Sequence, residues 1–283
     1  MLDLEIIRGL QTITNPLFDW IFYILTYIGD QYFFIVLAVI IYWTMNKKFA
    51  HRFALMYMIA SLFSFILKNI VKRARPYDEA GVTVPFDYHT TGYSMPSGHA
   101  TAVGAMGYAG LKVSKQTGKS WLMYVSMIMM IVVPFTRMYL GQHYLSDVVV
   151  GLVIGLGFAY LIDKLVDLMG DKEEWWTFVL LPVAVIFMII FPDHDLFVAA
   201  GAYAGFAIGY FVEKRYVKFD VKATFWIQVL KVVSGIIVVL LIKEGLKFVF
   251  PEMLLFDFFR YVLIGVWAAL GAPYVFKLWL KQS

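Results

Sequence analysis

Residues 137–166 read RMYLGQHYLSDVVVGLVIGLGFAYLIDKLV, a stretch in which ionisable residues lead into a long apolar run. The run from residue 144 to residue 166 is long enough to cross a membrane as a helix, because about 20 residues span about 30 Å of hydrocarbon. Arg137, His143 and Asp147 would then lie at one membrane surface. Outward from this stretch, the other candidate spans are residues 31–46, 49–70, 98–114, 120–138, 175–191, 195–212, 223–249 and 254–277.

The composition of the whole chain also indicates a membrane protein. Of its 283 residues, 61% are hydrophobic and 16% are charged, whereas a soluble domain is about 45–50% apolar and about 25% charged. The chain has no cysteine, which excludes disulfides, thiolate metal ligands and a cysteine nucleophile. Its net charge of +4 comes from basic residues in short loops between apolar runs, a pattern that orients membrane proteins. We therefore predict an all-α, polytopic transmembrane helix bundle that has no nucleic-acid partner.

The loop charges also predict the orientation of this bundle. Loops on the face that holds Lys47, Lys48 and Arg52 contain twice as many lysines and arginines as loops on the opposite face. Because positively charged loops tend to stay in the cytoplasm, the face with His143 is predicted to be extracytoplasmic. We expect a multi-pass protein of a bacterial plasma membrane, with its site facing outward.

The N-terminal residues differ from the spans that follow. Residues 1–16 alternate apolar and polar positions, which predicts a short amphipathic helix in the membrane interface. Ile7 would face lipid, and Glu5 and Arg8 would face water. The next segment, 16–29, is apolar but short, and is predicted to be a half-inserted helix or an element that packs on the first span.

A first cluster of charge lies where the 49–70 run ends. Lys68 and Arg75 are seven residues apart and Pro76 follows, so the two cations share a face if the helix persists. Pro76, however, disfavours helical geometry at Arg75. The alternative is a basic girdle whose side chains reach toward lipid headgroups.

A second cluster, Pro96-Ser97-Gly98-His99, opens the 98–114 run. Ser97 is a favoured N-cap residue, and the N–H groups at a helix start attract anions. Gly98 would let an anion approach the backbone, and His99 would point toward it. A plain helix cap with an incidental histidine is the alternative.

The third cluster, Arg137, His143 and Asp147, lies in the stretch quoted at the start of this section. Arg137 ends one span and His143 begins the next, so a short turn presents both on the same face. His143 and Asp147 are four residues apart, as neighbours on a helix face are, and a carboxylate beside an imidazole fixes its tautomer. A purely structural His–Asp pair remains the alternative.

All three clusters fall on one side of the membrane in the predicted topology. Together they supply cations, a helix N-terminus and two histidines, which suits a phosphoryl group. Their pattern, K-x6-R-P then P-S-G-H then R-x5-H-x3-D, resembles the signature of the type 2 phosphatidic acid phosphatase family. The resemblance covers residues 20–165, and it departs from the family only at Thr136, where serine is usual.

This resemblance implies a role for each matched residue. His143 is the implied nucleophile that becomes a phosphohistidine, Asp147 orients it, and His99 is the general acid for the leaving alcohol. No metal ion or other cofactor is implied. The implied phosphate-binding residues are Lys68, Arg75, Ser97, Gly98 and Arg137.

The resemblance also implies an organisation and an activity. We predict a six-helix phosphatase core at residues 1–170 and an extension of four transmembrane helices at residues 171–283. The predicted activity is hydrolysis of a lipid phosphate or pyrophosphate, with polyprenyl pyrophosphate, phosphatidylglycerophosphate and phosphatidate as candidate substrates. Alternatives are transfer to a lipid or sugar acceptor, hydrolysis of a soluble sugar phosphate, and a lipid-binding or transport protein with a vestigial site.

Charged residues recur within the apolar runs of the extension, including Lys231, Asp257 and Arg260. Charges inside a membrane are costly, so they are functional candidates. Two interpretations stay open: these residues line the access of the substrate or recognise its headgroup, or they form ion pairs that join helices.

Overall fold

Helices make up all of the regular structure in the part of the chain that is described. A computed structural model describes residues 2–251 and 253–280, so the last three residues of the predicted extension lie outside it. The prediction of an all-α membrane bundle is confirmed. The helices are α1 (Leu2–Leu10), α2 (Pro16–Thr26), α3 (Gln31–Thr44), α4 (Lys47–Val71), α5 (Gly98–Thr117), α6 (Ser120–Tyr139), α7 (Leu145–Met169), α8 (Glu173–Ile190), α9 (His194–Val212), α10 (Phe225–Val249), α11 (Leu254–Val266) and α12 (Ala272–Trp279).

Seven helices in the described residues are long and apolar enough to cross a membrane. They are α4, α6, α7, α8, α9, α10 and the pair α11–α12, which a π-helical turn at Trp267–Gly271 makes continuous. Two of the nine predicted spans are absent from this set. α3 has only 14 residues and forms a candidate span only together with α2, to which it is bent by 53°.

The second missing span, α5, is a helix of 20 residues that is rich in glycine and alanine. It is less apolar than a lipid-facing helix because both of its sides pack against protein. A Cβ at Gly104 would meet the backbone of α7 at Leu152 and Gly155, and one at Gly107 would meet Met130 of α6. Small residues of this kind let membrane helices approach closely, so α5 is the central helix of its unit.

The chain divides into two compact units. One consists of Met1–Val36 and Phe53–Lys164, and the other consists of Leu37–Arg52 and Leu165–Ser283. All residues of the three sequence clusters belong to the first unit. The boundary between a core and an extension at residue 170 stays a prediction.

α1 packs within the first unit more tightly than the sequence predicts. Ile7 is fully buried, so it does not face lipid. Arg8 donates a hydrogen bond to the Ala80 carbonyl at 2.5 Å, and Gln11 donates to the carbonyls of Thr83 and Tyr139 at 2.8 and 2.9 Å. These bonds attach α1 to the loop after α4 and to the end of α6.

In the second unit, two fully buried charged residues, Glu213 and Lys231, are bonded to neighbouring residues. Glu213 is fully buried and accepts a hydrogen bond from Lys47 Nζ at 2.7 Å. Lys231, also buried, donates to the carbonyls of Trp43 and Val221 at 3.0 and 2.9 Å.

Asp257 and Arg260 of α11 form another pair of charges in this unit. Asp257 accepts a hydrogen bond from Arg260, and its other oxygen lies 3.5 Å from His194 Nε2 of α9. These contacts favour the interpretation that the charges of the extension join helices, over the one in which they line the access of a substrate.

The close contact between α5 and α7 leads to a stability prediction. A Cβ at Gly155 would collide with the Thr101 carbonyl oxygen, whereas a Cβ at Gly157 would meet nothing within 4 Å. Gly155→Ala should therefore lower the free energy of unfolding by about 1–3 kcal/mol through overpacking. Gly157→Ala, on the same helix, should leave it unchanged or raise it by up to about 1 kcal/mol through helix propensity. Thermal unfolding in one detergent compares the two, and equal midpoints would contradict the predicted packing.

Candidate active site

His143 lies at the meeting point of the three sequence clusters. Its side chain is 2% exposed. Burial first, and then the positive charges of Arg75, Arg137 and Lys68, hold the pKa of His143 well below the usual histidine value of 6.5. The imidazole is therefore neutral at neutral pH, which is the form that can act as a nucleophile.

Hydrogen bonding indicates which nitrogen of His143 has the lone pair. Arg75 Nη1 lies 3.3 Å from His143 Nε2, and a guanidinium can only donate, so Nε2 is the acceptor. The proton is then on Nδ1, which faces Asp147 Oδ2 at 3.6 Å. This tautomer places the nucleophilic lone pair on the side of the cations.

The turn before α7 holds His143 in place. Because α7 begins at Leu145, His143 precedes the helix. The prediction from the spacing, that His143 stands on a helix face with Asp147, is therefore wrong. The N–H groups of Gln142 and His143 both donate to the Arg137 carbonyl, at 3.0 and 3.2 Å. Gly141, with φ of 70°, supplies the left-handed residue that this reversal needs.

Asp147 is completely buried, and its carboxylate is satisfied by three donors. Oδ2 accepts from Ser94 Oγ and, at 2.8 Å, from the Tyr144 N–H. Oδ1 accepts from Arg73 Nη1 at 2.9 Å. The bond to Tyr144 makes Asp147 the side chain that caps the start of α7, so the same carboxylate begins the helix and faces His143.

Sequence reasoning gave no role to Ser94 or Arg73. Arg73 stands in the first cluster, and the surplus of basic residues there was the only available signal. Ser94 has no signal in the sequence, because its contact with Asp147 joins residues 53 positions apart.

Arg75 lies outside helix α4, as predicted from Pro76 in the sequence. α4 ends at Val71, and Arg75 is extended with φ of −86° and ψ of 155°, so it does not share a helix face with Lys68. Its guanidinium donates to the carbonyls of Thr91, Gly92 and Gln142 at 2.7, 2.8 and 3.0 Å. The long loop between α4 and α5, residues 72–97, therefore positions Arg75 beside His143 Nε2.

The start of α5 has the predicted cap. Ser97 is fully buried, and its Oγ accepts from the Ala100 N–H at 3.4 Å. Its own N–H donates to the Asp147 carbonyl at 3.0 Å, which ties the start of α5 to the start of α7. Gly98 is exposed, and a Cβ there would meet nothing within 4 Å, so open space lies beside the first helical N–H groups.

Three buried polar atoms at the site have no hydrogen-bond partner among the described residues. They are His99 Nε2, Arg137 Nε and His143 Nδ1. Arg137 is fully buried and donates through Nη1 to Thr26 Oγ1 at 3.0 Å. Buried polar groups are nearly always bonded, and an anion with several acceptor oxygens would satisfy the remaining donor of Arg137.

The chemistry of the site is that of an anion pocket beside a neutral imidazole. Lys68, Arg75 and Arg137 act electrostatically on both His99 and His143. Among the described residues, no three histidine, aspartate or glutamate side chains group as metal ligands would. The roles of the individual residues stay predictions, but their arrangement can bind a phosphoryl group and present a nucleophile to it.

Two family models match this chain. Residues 49–168 match the PAP2 superfamily, and residues 197–283 match the PAP2 superfamily phosphatase transmembrane extension. The chain belongs to the PAP2 superfamily. All predicted site residues fall inside the first match, and the second match covers most of the predicted extension.

Curated relatives match the chain at low identity. An undecaprenyl-diphosphatase of Sulfolobus acidocaldarius is 26% identical over 134 residues, which are 47% of this chain and 63% of that protein. A lipid A 1-phosphatase of Rhizobium johnstonii is 32% identical over 108 residues, 37% of this chain and 42% of that protein. The chain thus spans less than two thirds of the length of these relatives.

A solved structure shows the same fold. The PAP2-type phosphatidylglycerolphosphate phosphatase of Bacillus subtilis superposes with a TM-score of 0.52 at 20% identity. The superposition covers 60% of this chain and 87% of that one.

The open space beside Gly98 gives a prediction about anion binding in this PAP2 protein. Gly98→Ala should leave the unfolding midpoint unchanged, because the added methyl meets no atom within 4 Å. It should weaken the binding of vanadate, a phosphate analogue, by about 10-fold, the effect of losing about 1.4 kcal/mol of close backbone contact. Calorimetric titration measures this, with Gly157→Ala as the control. Equal vanadate affinities would contradict an anion site at Gly98.

Proposed function

We propose that this PAP2 protein hydrolyses a lipid phosphate or diphosphate through a phosphohistidine formed on His143. The observation that carries the proposal is the position of His143. Its side chain is buried, and its Nε2 atom lies 3.3 Å from Arg75 Nη1. Lys68 and Arg137 add their charges at the same position. A dianionic phosphoryl group bound by three cations would be presented to this nitrogen.

In the proposed first step, His143 Nε2 attacks phosphorus and the bond from phosphorus to the lipid oxygen breaks. His99, in its protonated form, donates a proton to that oxygen, so the leaving alcohol, or the lipid monophosphate that leaves from a diphosphate, gains no additional negative charge in this step. In the second step, water attacks the phosphohistidine and His99 accepts a proton from it. Inorganic phosphate is released, and both histidines return to their original protonation states.

The protein groups supply electrostatic stabilisation throughout. Charge that develops on the phosphoryl oxygens is stabilised by Lys68, Arg75, Arg137 and the N–H groups at the start of α5. The positive charge that forms on the His143 ring is stabilised by Asp147, which faces Nδ1.

An aromatic cluster beside the site supports a lipid as the substrate. The Trp20 ring of α2 lies 4.5 Å from Phe86, and Tyr23 lies 5.2 Å from Tyr88. Tyr88 is in turn 5.5 Å from the guanidinium of Arg137. Because Trp20 and Phe86 are about half exposed, an apolar chain attached to the phosphate would find apolar contacts next to it.

The names of the relatives agree with this class of substrate, since they act on undecaprenyl diphosphate, lipid A and phosphatidylglycerolphosphate. We also propose that the site faces away from the cytoplasm, on the basis of the basic loops on the opposite face. An outward site would suit a diphosphate carrier lipid that is released on that side.

Phosphate release from purified protein tests the proposed function. We expect wild type to release phosphate from at least one of polyprenyl diphosphate, phosphatidylglycerolphosphate and phosphatidate, with or without a chelator. His143→Asn should lower kcat by at least about 10³-fold, because it removes the nucleophile. His194→Asn, at a histidine that is 57% exposed in the other unit, is the control and should retain activity.

Other results of this assay would contradict the proposal in identifiable ways. Activity that survives in His143→Asn argues against a phosphohistidine, and activity lost to the chelator argues for a bound metal. If label from a radioactive substrate moves to a lipid or sugar acceptor, the protein is a phosphotransferase. If no lipid is a substrate and a soluble sugar phosphate is, the proposed lipid specificity is wrong.

Replacing an aromatic residue tests the contact with the lipid chain. Trp20→Ala should raise KM for a long-chain lipid phosphate by about 10-fold, since the partial burial of such a ring is worth about 1.5 kcal/mol. KM for a short-chain, soluble phosphate should not change. Trp121→Ala is the matched control, because Trp121 is 59% exposed against 54% for Trp20 but lies at the other end of α6 from Arg137. Equal effects on the long and the short substrate would argue against the contact.

A further inference from the structure

One of the donors to Asp147 is Arg73, which occupies an unspecified position inside the K-x6-R-P motif. Arg73 Nη1 donates to Asp147 Oδ1 at 2.9 Å, while the His143 Nδ1–Asp147 Oδ2 distance is 3.6 Å. The carboxylate therefore has one oxygen committed to Arg73 and the other turned toward His143. A buried carboxylate needs such compensation, because a charge without a partner in a dry interior is strongly unfavourable.

Arg73 is itself held on several sides. Its Nη1 also donates to Ser146 Oγ at 2.6 Å, and its Nη2 donates to Asp3 Oδ2 at 3.0 Å. Its guanidinium lies 3.8 Å from the centre of the Tyr144 ring. The planar fork of arginine suits this arrangement, in which two carboxylates are bridged in fixed directions.

The second carboxylate comes from the N-terminal helix. Asp3 of α1 accepts from Arg73, and it also accepts from Ser146 Oγ at 2.5 Å. The Ser146 hydroxyl and the Arg73 guanidinium are thus fixed by one oxygen. α1 is anchored independently through Arg8 and Gln11, so Asp3 is presented by a docked helix.

These contacts form a chain of alternating charge from Asp147 through Arg73 to Asp3, and Asp147 in turn faces the neutral His143. We propose that Arg73 and Asp3 are positioning residues for the reaction: together they fix the Asp147 carboxylate so that Oδ2 faces His143 Nδ1. The inference rests on the proposed function of His143. It gives a role to Arg73, a residue of the first cluster that had none, and adds Asp3 of α1, which lies outside the three clusters.

The alternation of charge has a chemical consequence. When His143 Nε2 bonds to phosphorus, its ring becomes positive and needs a nearby negative charge. Arg73 alone would neutralise Asp147 and weaken that support. Asp3 also pairs with Arg73 and offsets part of its positive charge. Asp147 can therefore stabilise the positive ring more strongly, while Arg73 still fixes the orientation of the Asp147 carboxylate.

Kinetics of matched variants in the full-length protein test this proposal. Asp3→Asn should lower kcat about 10-fold and Arg73→Gln about 100-fold, the range found when the outer partner of a functional histidine is lost. KM should change less than about twofold, because neither residue touches the phosphate. Arg73→Lys should recover part of the loss, since it restores the charge but not the fork. Single-turnover rates of phosphohistidine formation, measured after acid quench, should fall in the same order.

The chain offers a control for each variant. Glu5→Gln removes an exposed carboxylate from the same helix as Asp3, and Lys72→Gln removes an exposed cation next to Arg73. Both should retain wild-type kcat. Unfolding midpoints for all variants separate a loss of folded protein from a loss of rate, because kcat is expressed per folded molecule.

The outcomes distinguish this inference from the proposed function. If wild type is active, and Asp3→Asn and Arg73→Gln keep its kcat while only their unfolding midpoints fall, Arg73 and Asp3 hold α1 in place and the positioning role is overturned. If wild type and His143→Asn release phosphate equally, the proposed function fails and the positioning role fails with it. A fall in kcat at constant KM, with active controls, supports it.

Discussion

The buried carboxylate of Asp147 is the constraint on which the rest of the first unit depends. A charge with no exposure to solvent must be met by donors, or it costs several kcal/mol. Ser94, Tyr144 and Arg73 meet it, and each comes from a different position in the chain. The end of the long loop and the start of α7 are therefore brought together by one side chain. The backbone carbonyl of Asp147 accepts a hydrogen bond from the Ser97 N–H, which joins the start of α5 to the start of α7.

Small residues make that convergence possible. Gly104 and Gly155 let α5 and α7 approach until backbone meets backbone, so Ser97 can donate directly to the Asp147 carbonyl. With larger side chains at these positions, the N-terminus of α5 would stand away from His143. Packing in the middle of the helices and chemistry at their ends are thus parts of one arrangement, and the low hydropathy of α5 follows from its central position.

The second unit also contains buried charged side chains. Its buried Glu213 and Lys231 are bonded to neighbouring residues and backbone carbonyls, which leaves them without the unmatched donors seen in the first unit. At the site, His99 Nε2, Arg137 Nε and His143 Nδ1 lack hydrogen-bond partners within the described residues. Arg260 Nε and Glu173 Oε2 in the second unit lack them as well, so it is the grouping of three such atoms at one site, and not their occurrence, that suits a ligand which supplies the remaining bonds.

The sequence by itself determined the membrane class, the helical fold and the Ser97 cap, and it predicted the residues of the proposed phosphate site, because hydropathy, capping and motif spacing are local properties. It also predicted that Pro76 would take Arg75 out of the helix. Only the tertiary structure decided that His143 precedes α7, that α5 is central, and that Asp147 pairs with Arg73 and, through it, with Asp3. Asp3 and Arg73 are 70 residues apart, and no local pattern connects them. Contacts of that range depend on which helix faces meet, and helix packing sets this.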